Sequence, residues 1–361
     1  MLWYPLPMSQ DLDSLLSEAV RRGASDLLLV AGTAPALRVH GDLTPADGAR
    51  PALGRTDVPA LLAAVMPERQ RGLFDAGGSV DFAFEREGVG RFRCNLHRTQ
   101  AGVSAALRVL PAEIPDFRAL NLPAQAARFS EMVKGFVLVA GPTGSGKSTT
   151  ISCLIDMINA RRPAHIVTIE EPVEYRHRHR RGLVEQIEIP EDSPGFADAL
   201  RHTLRQDPDV IFVGEMRDLE TISIALTAAE TGHLVFSTLH TNDTTQAIDR
   251  IIDVYPAAQQ SQIRMQLSMS LSGVMAQHLI PTLDGKGRVP AVELLMATDA
   301  VRNLIRSQKT FQLHSTIGTS KALGMQTLDD ALATLVKRQR ISREDAVLRS
   351  SRPEELAALL R

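Results

Sequence analysis

GPTGSGKS, at residues 141–148, matches every position of the phosphate-binding loop pattern G-x-x-x-x-G-K-[ST]. An apolar run, FVLVA, precedes it at 136–140, and a helix-forming run, TTISCLIDMI, follows at 149–158. Three glycines in its first six positions allow a tight turn whose N–H groups point at phosphates. Because strand, loop and helix stand in the order that this motif requires, the sequence predicts a nucleotide-binding α/β domain.

The loop residues divide the work of holding a nucleotide. The Lys147 ammonium should reach the β- and γ-phosphates, and the Ser148 hydroxyl should hold Mg²⁺. The ligand expected from the loop is ATP or GTP together with Mg²⁺. The nucleotide-binding residues predicted here are Gly141, Pro142, Thr143, Gly144, Ser145, Gly146, Lys147, Ser148 and Thr149.

Composition narrows the class of protein. The 361 residues suit two domains, and 40 basic against 42 acidic residues leave a net charge of −2, so no overall field favours nucleic acid. The two cysteines, Cys94 and Cys153, have no zinc-binding spacing, which fits a reducing compartment and no metal other than nucleotide-bound Mg²⁺. No apolar run approaches the roughly 20 residues that span a bilayer. We therefore expect a cytoplasmic protein.

Sequence pattern divides the chain into three segments. Residues 1–110 combine an amphipathic helix with short alternating runs typical of an antiparallel sheet, and residues 111–123 hold three prolines and are predicted to be a linker. Residues 124–361 alternate strands with helices, which predicts a mostly parallel sheet covered on both faces, and after Leu271 they look mainly helical. The apolar positions at helical spacing in the first helix are Leu12, Leu15, Leu16 and Ala19.

Polar residues follow the predicted parallel strands where each strand ends. Ligands bind at the carboxyl ends of the strands in such sheets, so these side chains should line one crevice with the phosphate loop. They are Glu170, Glu171, Glu215, Ser237 and His240.

Each strand-end residue has an expected role in phosphoryl transfer. Glu215 ends the apolar strand VIFVGE and is predicted to position the attacking water, directly or through the Mg²⁺ shell. Adjacent residues of a strand face opposite ways, so Glu170 is predicted to point at the metal and Glu171 to order the turn. His240 could donate a hydrogen bond to the γ-phosphate, whereas His233 should bond locally before its strand. The alternative for every carboxylate is a solvated strand end.

Basic residues supply two further candidate surfaces. Arg91 and Arg93 should share one face of a strand, and a guanidinium brought from a neighbouring subunit could neutralise the γ-phosphate. The candidates for this role in trans are Arg91, Arg93, Arg98 and Arg108, each of which could instead be an ordinary solvated strand residue. The run RHRHRR at 176–181 is expected in a loop, either as a solvated face or as a contact with an acidic partner or an anionic membrane surface.

Four motifs together resemble those of the secretion ATPase superfamily, which powers type IV pili and type II secretion. GPTGSGKST, TIEEPVEY, DPDVIFVGEMRDLET and TGHLVFSTLHTND are similar, in that order, to its Walker A, aspartate box, Walker B and histidine box. SDLLLVAGTAPALRVHGDL resembles the opening of its N-terminal PAS-like domain. AVRNLIRSQKT and GMQTLDDAL resemble the C-terminal region of its PilT branch, the pilus retraction ATPases. The extension and type II branches typically carry a four-cysteine zinc motif that this sequence lacks.

The resemblance implies an architecture and a set of roles. It implies a PAS-like α+β domain over 1–110 followed by a RecA-like ATPase domain over 124–361 with C-terminal helices, assembled as a hexamer in which each N-terminal domain packs on the next subunit. It supports Lys147, Ser148, Glu215, Glu170, His233 and His240 near ATP, with Ser148 and Glu215 at Mg²⁺. The segment similar to a motif needed for retraction is Ala300, Val301, Arg302, Asn303, Leu304 and Ile305. Two departures are Glu171, where the family has Asp, and Leu28, where it commonly has His.

The function that the resemblance implies is an ATP-hydrolysing hexameric motor for pilus retraction. Its expected partners are copies of itself, an inner-membrane platform protein and a paralogous pilus ATPase, at the inner face of the cytoplasmic membrane. An accessory or extension-type ATPase of the same superfamily is the first alternative. A non-hydrolysing ring partner and a nucleic-acid translocase are more remote, because the acidic strand ends favour turnover and the near-neutral charge does not favour nucleic acid.

Overall fold

The computed structural model describes residues 9–39, 41–48 and 50–361. The chain separates into two compact units, Met1–Glu113 and Ile114–Arg361. The finer boundaries predicted from sequence, with a linker over 111–123, stay a prediction.

Over its described residues the first unit is a sheet of six antiparallel strands in the order β3-β2-β1-β6-β5-β4, with three helices packed against it. The predicted spacing of the first helix is confirmed, since Leu12, Leu15, Leu16 and Ala19 are all buried. The likeness to a PAS domain stays a prediction. Its elements are α1 (Ser9–Arg21), β1 (Asp26–Leu29), β2 (Ala36–Val39), β3 (Asp42–Pro45), α2 (Asp57–Leu62), α3 (Glu68–Gly77), β4 (Ser79–Arg86), β5 (Gly90–Thr99) and β6 (Gly102–Leu110).

The second unit contains a seven-stranded sheet in the order β13-β12-β7-β11-β10-β8-β9, in which the β12–β13 pair alone is antiparallel. The predicted mostly parallel sheet is therefore confirmed. Its strands are β7 (Gly135–Ala140), β8 (His165–Glu170), β9 (Leu183–Glu188), β10 (Val210–Val213), β11 (Leu234–Leu239), β12 (Leu271–Pro281) and β13 (Arg288–Met296). Its helices are α4 (Lys147–Arg161), α5 (Phe196–Thr203), α6 (Leu219–Glu230), α7 (Thr244–Asp253), α8 (Ala257–Ser270), α9 (Asp299–Arg306), α10 (Leu313–Thr319), α11 (Leu328–Lys337), α12 (Arg343–Arg349) and α13 (Pro353–Leu359).

Both faces of the parallel sheet are covered, as predicted. Every residue of β7 is buried, and its side chains alternate between two cores. Phe136 and Leu138 pack into one core with α6, α7 and α8, whereas Val137 and Val139 pack into the other with α4. Since a strand buried on both faces is a continuous apolar run, this burial explains FVLVA and VIFV in the sequence.

The prediction of mainly helical structure after Leu271 is wrong for residues 271–296, which form β12 and β13. These strands pair antiparallel from Gly273 opposite Met296 to Pro281 opposite Arg288. β12 is buried on both faces, and a long apolar run of that kind cannot be told from a buried helix by its periodicity. Because β12 also pairs with β7, its final residues lie next to the phosphate loop.

Candidate nucleotide site

The phosphate loop joins the end of β7 to the start of α4, as the motif predicts. Gly144 and Gly146 have φ values of 75° and 88°, which favour glycine, and Gly146 is the residue before the first helical turn. A Cβ on Gly141 would come within 2.3 Å of the Gln277 carbonyl oxygen. Glycine is thus favoured at 144 and 146 by the backbone conformation, and at 141 by the close approach of the Gln277 backbone.

Lys147 lies at the first position of α4 with its ammonium turned into the loop. Nζ donates to the carbonyl oxygens of Gly141, at 2.8 Å, and Pro142, at 3.1 Å. Burial lowers the pKa of Lys147, and the charges of Glu215 and Glu174 oppose that shift. A cation held at a helix N-terminus, with two carboxylates near enough to act on it, is an arrangement suited to a phosphate chain and its metal.

Glu215 follows β10 and is held by two basic side chains. Its Oε2 accepts from Arg217 Nη2 at 2.7 Å, and its Oε1 lies 3.4 Å from His240 Nε2. Burial raises the pKa of Glu215, but Arg217 and His240 outweigh it, so the pKa lies below its ordinary value. The structure therefore brings Glu215 and His240 together, whereas sequence reasoning did not identify Arg217.

Glu170 ends β8 and is enclosed by the protein, with only 4% of its surface exposed. Its Oε1 accepts from Thr168 Oγ1 at 2.7 Å and from Gln186 Nε2 at 3.4 Å. Burial raises the pKa of Glu170 to about 7. Glu171, by contrast, is exposed. The catalytic role predicted for Glu170 stays a prediction, and its surroundings are those of a carboxyl group that is costly to ionise.

Glu174 is a candidate that sequence reasoning missed. It is half-buried, and its charge acts both on the Lys147 ammonium and on the Glu170 carboxyl group. The available signal is that TIEEPVE holds a third acidic residue, two positions after Pro172. The next residue, Tyr175, shares a hydrogen bond of 2.9 Å with Thr149, so this segment returns to the start of α4.

His233 needs a correction. It precedes β11 and His240 follows it, so a strand of six residues, about 20 Å long, separates them. His233 Nδ1 lies 2.9 Å from the Ala228 carbonyl oxygen, which confirms the predicted local bond but places His233 away from the nucleotide site of its own chain. Ser237 also does not line the crevice, because it is fully buried and donates to the Val213 carbonyl oxygen at 2.7 Å.

The strands β12 and β13 contribute side chains that no motif had indicated. Gln277, in β12, reaches beneath the phosphate loop, where its Nε2 donates to the Ser145 carbonyl oxygen at 2.7 Å. Glu293, in β13, accepts from the backbone N–H of Thr244 at 2.9 Å and from its hydroxyl at 2.6 Å. A carboxylate at this position satisfies the N-terminus of α7, the helix that follows His240.

The candidate arginines lie on β5 and β6, and three of them, Arg93, Arg98 and Arg108, contact residues of their own unit. Alternating burial places Arg91 and Arg93 on the face opposite Phe92, as predicted. Arg93 pairs with an aspartate at 3.7 Å, Arg108 pairs with another at 3.1 Å, and Arg98 lies over a phenylalanine ring at 5.1 Å from its centroid. A role for any of them at a neighbouring subunit's nucleotide stays a prediction.

The AVRNLI segment forms most of α9 and is anchored to the end of α8. Val301 and Ile305 are fully buried. Arg302 Nη1 donates to the carbonyl oxygens of Ser268 and Met269, both at 2.8 Å, which are otherwise unpaired acceptors at a helix C-terminus. Because α8 continues directly into β12, this segment is joined through one helix to the strand beneath the phosphate loop.

The basic run at 176–181 forms a loop that is fixed to the end of α4. The buried side chain of Asn159 donates to the Arg178 carbonyl oxygen at 2.7 Å and accepts from the Arg180 N–H at 3.2 Å. The Arg180 guanidinium pairs with Asp156 at 3.3 Å. The predicted loop is thus confirmed, and its predicted contact with an acidic partner or a membrane stays a prediction.

A phosphate loop between a parallel strand and a helix, with an acidic residue at the end of a neighbouring strand, defines a P-loop nucleotide hydrolase. Among the described residues no helix is long and apolar enough to cross a membrane. Residues 6–351 match the family model for type II/IV secretion system proteins, so the chain belongs to that family and is an ATPase.

Named relatives and one solved structure resemble nearly the whole chain. It is 46% identical to the type IV pilus retractation ATPase PilT of Pseudomonas aeruginosa, over 95% of this chain and 99% of that one. It is 37% identical to the type IV pilus ATPase PilU of the same species, over 97% and 91%. A crystal structure of the pilus retraction motor PilT with bound ADP superimposes with a TM-score of 0.89 at 47% identity, covering 96% of this chain and 98% of that chain.

Proposed function

We propose that the protein is a homohexameric motor that hydrolyses ATP to retract type IV pili. The similarity to PilT over nearly the full length of both chains supports the role in pilus retraction. The observation that carries the chemistry is Glu215, which lies at a strand end beside His240 and near enough to act on the Lys147 ammonium. An acid held by two basic partners at the loop of an ATPase is placed to orient water.

The residues of this site divide the reaction between them. Lys147 binds the β- and γ-phosphates, and its bonds to the loop carbonyls are exchanged for bonds to phosphate oxygens. Glu215 accepts a hydrogen bond from the attacking water, and His240 donates to the γ-phosphate. We assign Glu174, rather than Glu170, as the second carboxylate at the phosphate end of the site. The charge of Glu174 acts on Lys147, whereas the Glu170 side chain is buried.

The donor set fits Mg²⁺. Hydroxyl and carboxylate oxygens, as on Ser148 and Glu215, are the ligands that this hard cation prefers, so these two residues would hold it beside the phosphates of the nucleotide. When bound, the ion neutralises charge that develops on the phosphate oxygens.

The mechanical work of the proposed motor requires contacts between neighbouring subunits. We propose that the arginines of the first unit neutralise the γ-phosphate of the adjacent subunit, and that nucleotide turnover moves the two units against each other. The force acts on an inner-membrane platform protein, at the cytoplasmic face of the membrane. The similarity to PilU favours one second candidate, an accessory retraction ATPase that works beside a paralogue.

Two variants test the chemistry. Lys147→Ala should lose ADP binding, whereas Glu215→Gln should bind ADP and lose phosphate release. Glu354→Gln, which changes an exposed acid in the same unit, is the matched control and should keep both. Wild-type turnover by Glu215→Gln would remove the role assigned to that residue.

A deletion strain tests whether the protein retracts pili or extends them. Loss of a retraction motor should leave cells with more surface pili and no twitching motility, and loss of an extension motor should leave them without pili. Restoration of motility by the wild-type chain in a strain that lacks every paralogue separates a principal motor from an accessory one. ATPase stimulation by single-stranded DNA with steep salt dependence would instead favour a translocase.

A further inference from the structure

Gln277 uses both ends of its amide to hold the phosphate loop. Its Nε2 donates to the Ser145 carbonyl oxygen at 2.7 Å, and its Oε1 accepts from Thr150 Oγ1 at 2.9 Å. The side chain is 3% exposed, and Thr150 is 1% exposed. One buried amide thus joins the loop to the first turn of α4, with both of its polar atoms paired inside the protein.

The loop is shaped around this residue. A Cβ on Gly146 would lie 2.9 Å from Gln277 Nε2, and one on Gly141 would lie 2.3 Å from the Gln277 carbonyl oxygen. Two of the three glycines in the motif therefore pack directly on Gln277. The third, Gly144, has open space around its Cβ position, so its φ of 75° is what favours glycine there.

We propose that Gln277 is a positioning residue of the nucleotide site. Its bond turns the Ser145 carbonyl oxygen down towards β12, and the N–H groups of the loop are then left facing the phosphates. Gln277 packs on the backbone of the loop at Gly141 and Gly146, so it would act on the nucleotide through the loop. This role rests on the proposed function only in requiring that the loop bind nucleotide.

The amide is the group that this position needs. Gln277→Met fills the same space but leaves the Ser145 carbonyl oxygen and the Thr150 hydroxyl without their partner. Gln277→Glu places a carboxylate against a carbonyl oxygen and beneath the bound phosphates. The first change should weaken ADP binding about tenfold, the equivalent of one buried hydrogen bond of roughly 1.4 kcal/mol, and the second should weaken it further.

The experiment measures the ADP dissociation constant, KM for ATP and kcat of the purified full chain. Gln277→Met should raise the first two about tenfold and change kcat at saturation less than threefold. Gln326→Met is the matched control, because this half-buried glutamine also donates to a backbone carbonyl oxygen, that of Val292 at 2.8 Å. It should change stability but not ADP binding.

A second variant keeps the test decisive if Gln277→Met does not fold. Thr150→Val is nearly isosteric and removes the donor to Gln277 Oε1, so it should raise the ADP dissociation constant severalfold. Its effect should largely disappear in the Gln277→Met background, since the two residues act as one unit. Unchanged ADP binding in Thr150→Val, and in Gln277→Met if that variant folds, with Lys147→Ala still defective, would overturn the positioning role and leave the nucleotide site intact. A wild-type chain that does not bind ADP would overturn both.

Discussion

The carboxyl group of Glu170 should make the folded protein less stable as the pH rises, and Glu170→Gln should remove that dependence. Burial raises its pKa from 4.5 to about 7. Between those values the unfolded chain has lost the proton and the folded chain has kept it, so the free energy of unfolding falls by about 1.4 kcal/mol per pH unit. The contribution is complete below pH 4.5 and is lost above pH 7, a total of about 3 kcal/mol.

A second buried group of opposite sign must be separated from this one. Burial lowers the pKa of His177 from 6.5 to about 4. In that interval the unfolded chain holds the proton and the folded chain does not, so His177 makes stability rise with pH. Because the two slopes have opposite signs, the pH profile of the wild-type protein does not report the carboxyl group of Glu170 alone. The difference between Glu170→Gln and wild type isolates the carboxyl group.

The assay is thermal unfolding followed by circular dichroism at pH 5 and pH 8, without nucleotide. For a unit of this size each kcal/mol corresponds to about 2–4 °C. The advantage in melting temperature of Glu170→Gln over wild type should therefore be about 5–10 °C larger at pH 8 than at pH 5. An exposed substitution, Glu354→Gln, should show an equal difference at both pH values. If Glu170→Gln behaves like this control, Glu170 is ionised in the folded protein and the reasoning is refuted.

Three further substitutions test the supports of the site. Gly146→Ala should weaken ADP binding at least tenfold, about 1.4 kcal/mol, because a φ of 88° disfavours a side chain. Gly287→Ala is the control, since no atom lies within 4 Å of its Cβ position, and it should leave ADP binding unchanged. Isothermal titration measures both. Arg302→Ala removes the hydrogen bonds to the last carbonyl oxygens of α8, so its free energy of unfolding in urea should be about 2 kcal/mol lower. Arg306→Ala changes an exposed side chain and should lower it little. Glu293→Ala should lower kcat more than it raises KM in a phosphate-release assay, because it leaves the N–H and the hydroxyl of Thr244, at the start of α7, without their shared acceptor.

Local sequence was enough to predict the parts of the site that one segment determines. The phosphate loop needs glycine at fixed spacing between a strand and a helix, and all of those requirements lie within about 25 consecutive residues. The starts of α6 and α7 are local in the same way, since Asp218 and Asp243 accept from N–H groups in the first turns of the helices that they precede.

Sequence was not enough where the determinant is a pairing between distant segments. Gln277 lies about 130 residues beyond the loop that it supports, and its position follows from the pairing of β12 with β7. The strand that contains it is buried on both faces, so periodicity gave no direction for the side chain. Arg217 and Glu174 were missed for a related reason, because each lies just after a strand, where side-chain direction depends on the turn.

The carboxylates near Lys147 differ in chemistry because their surroundings differ. Glu170 is buried with no cation acting on it, and the charge of Glu174 adds to the effect of burial, so its pKa rises to about 7. Glu215 is also desolvated, yet Arg217 and His240 reverse the direction of the shift and its pKa falls. A group that orients water must be ionised when the nucleotide is bound, and at neutral pH that condition favours Glu215. TIEE and VGE look alike as acidic strand ends, and two cationic partners of Glu215 distinguish them: Arg217, two residues further on, and His240, which follows β11.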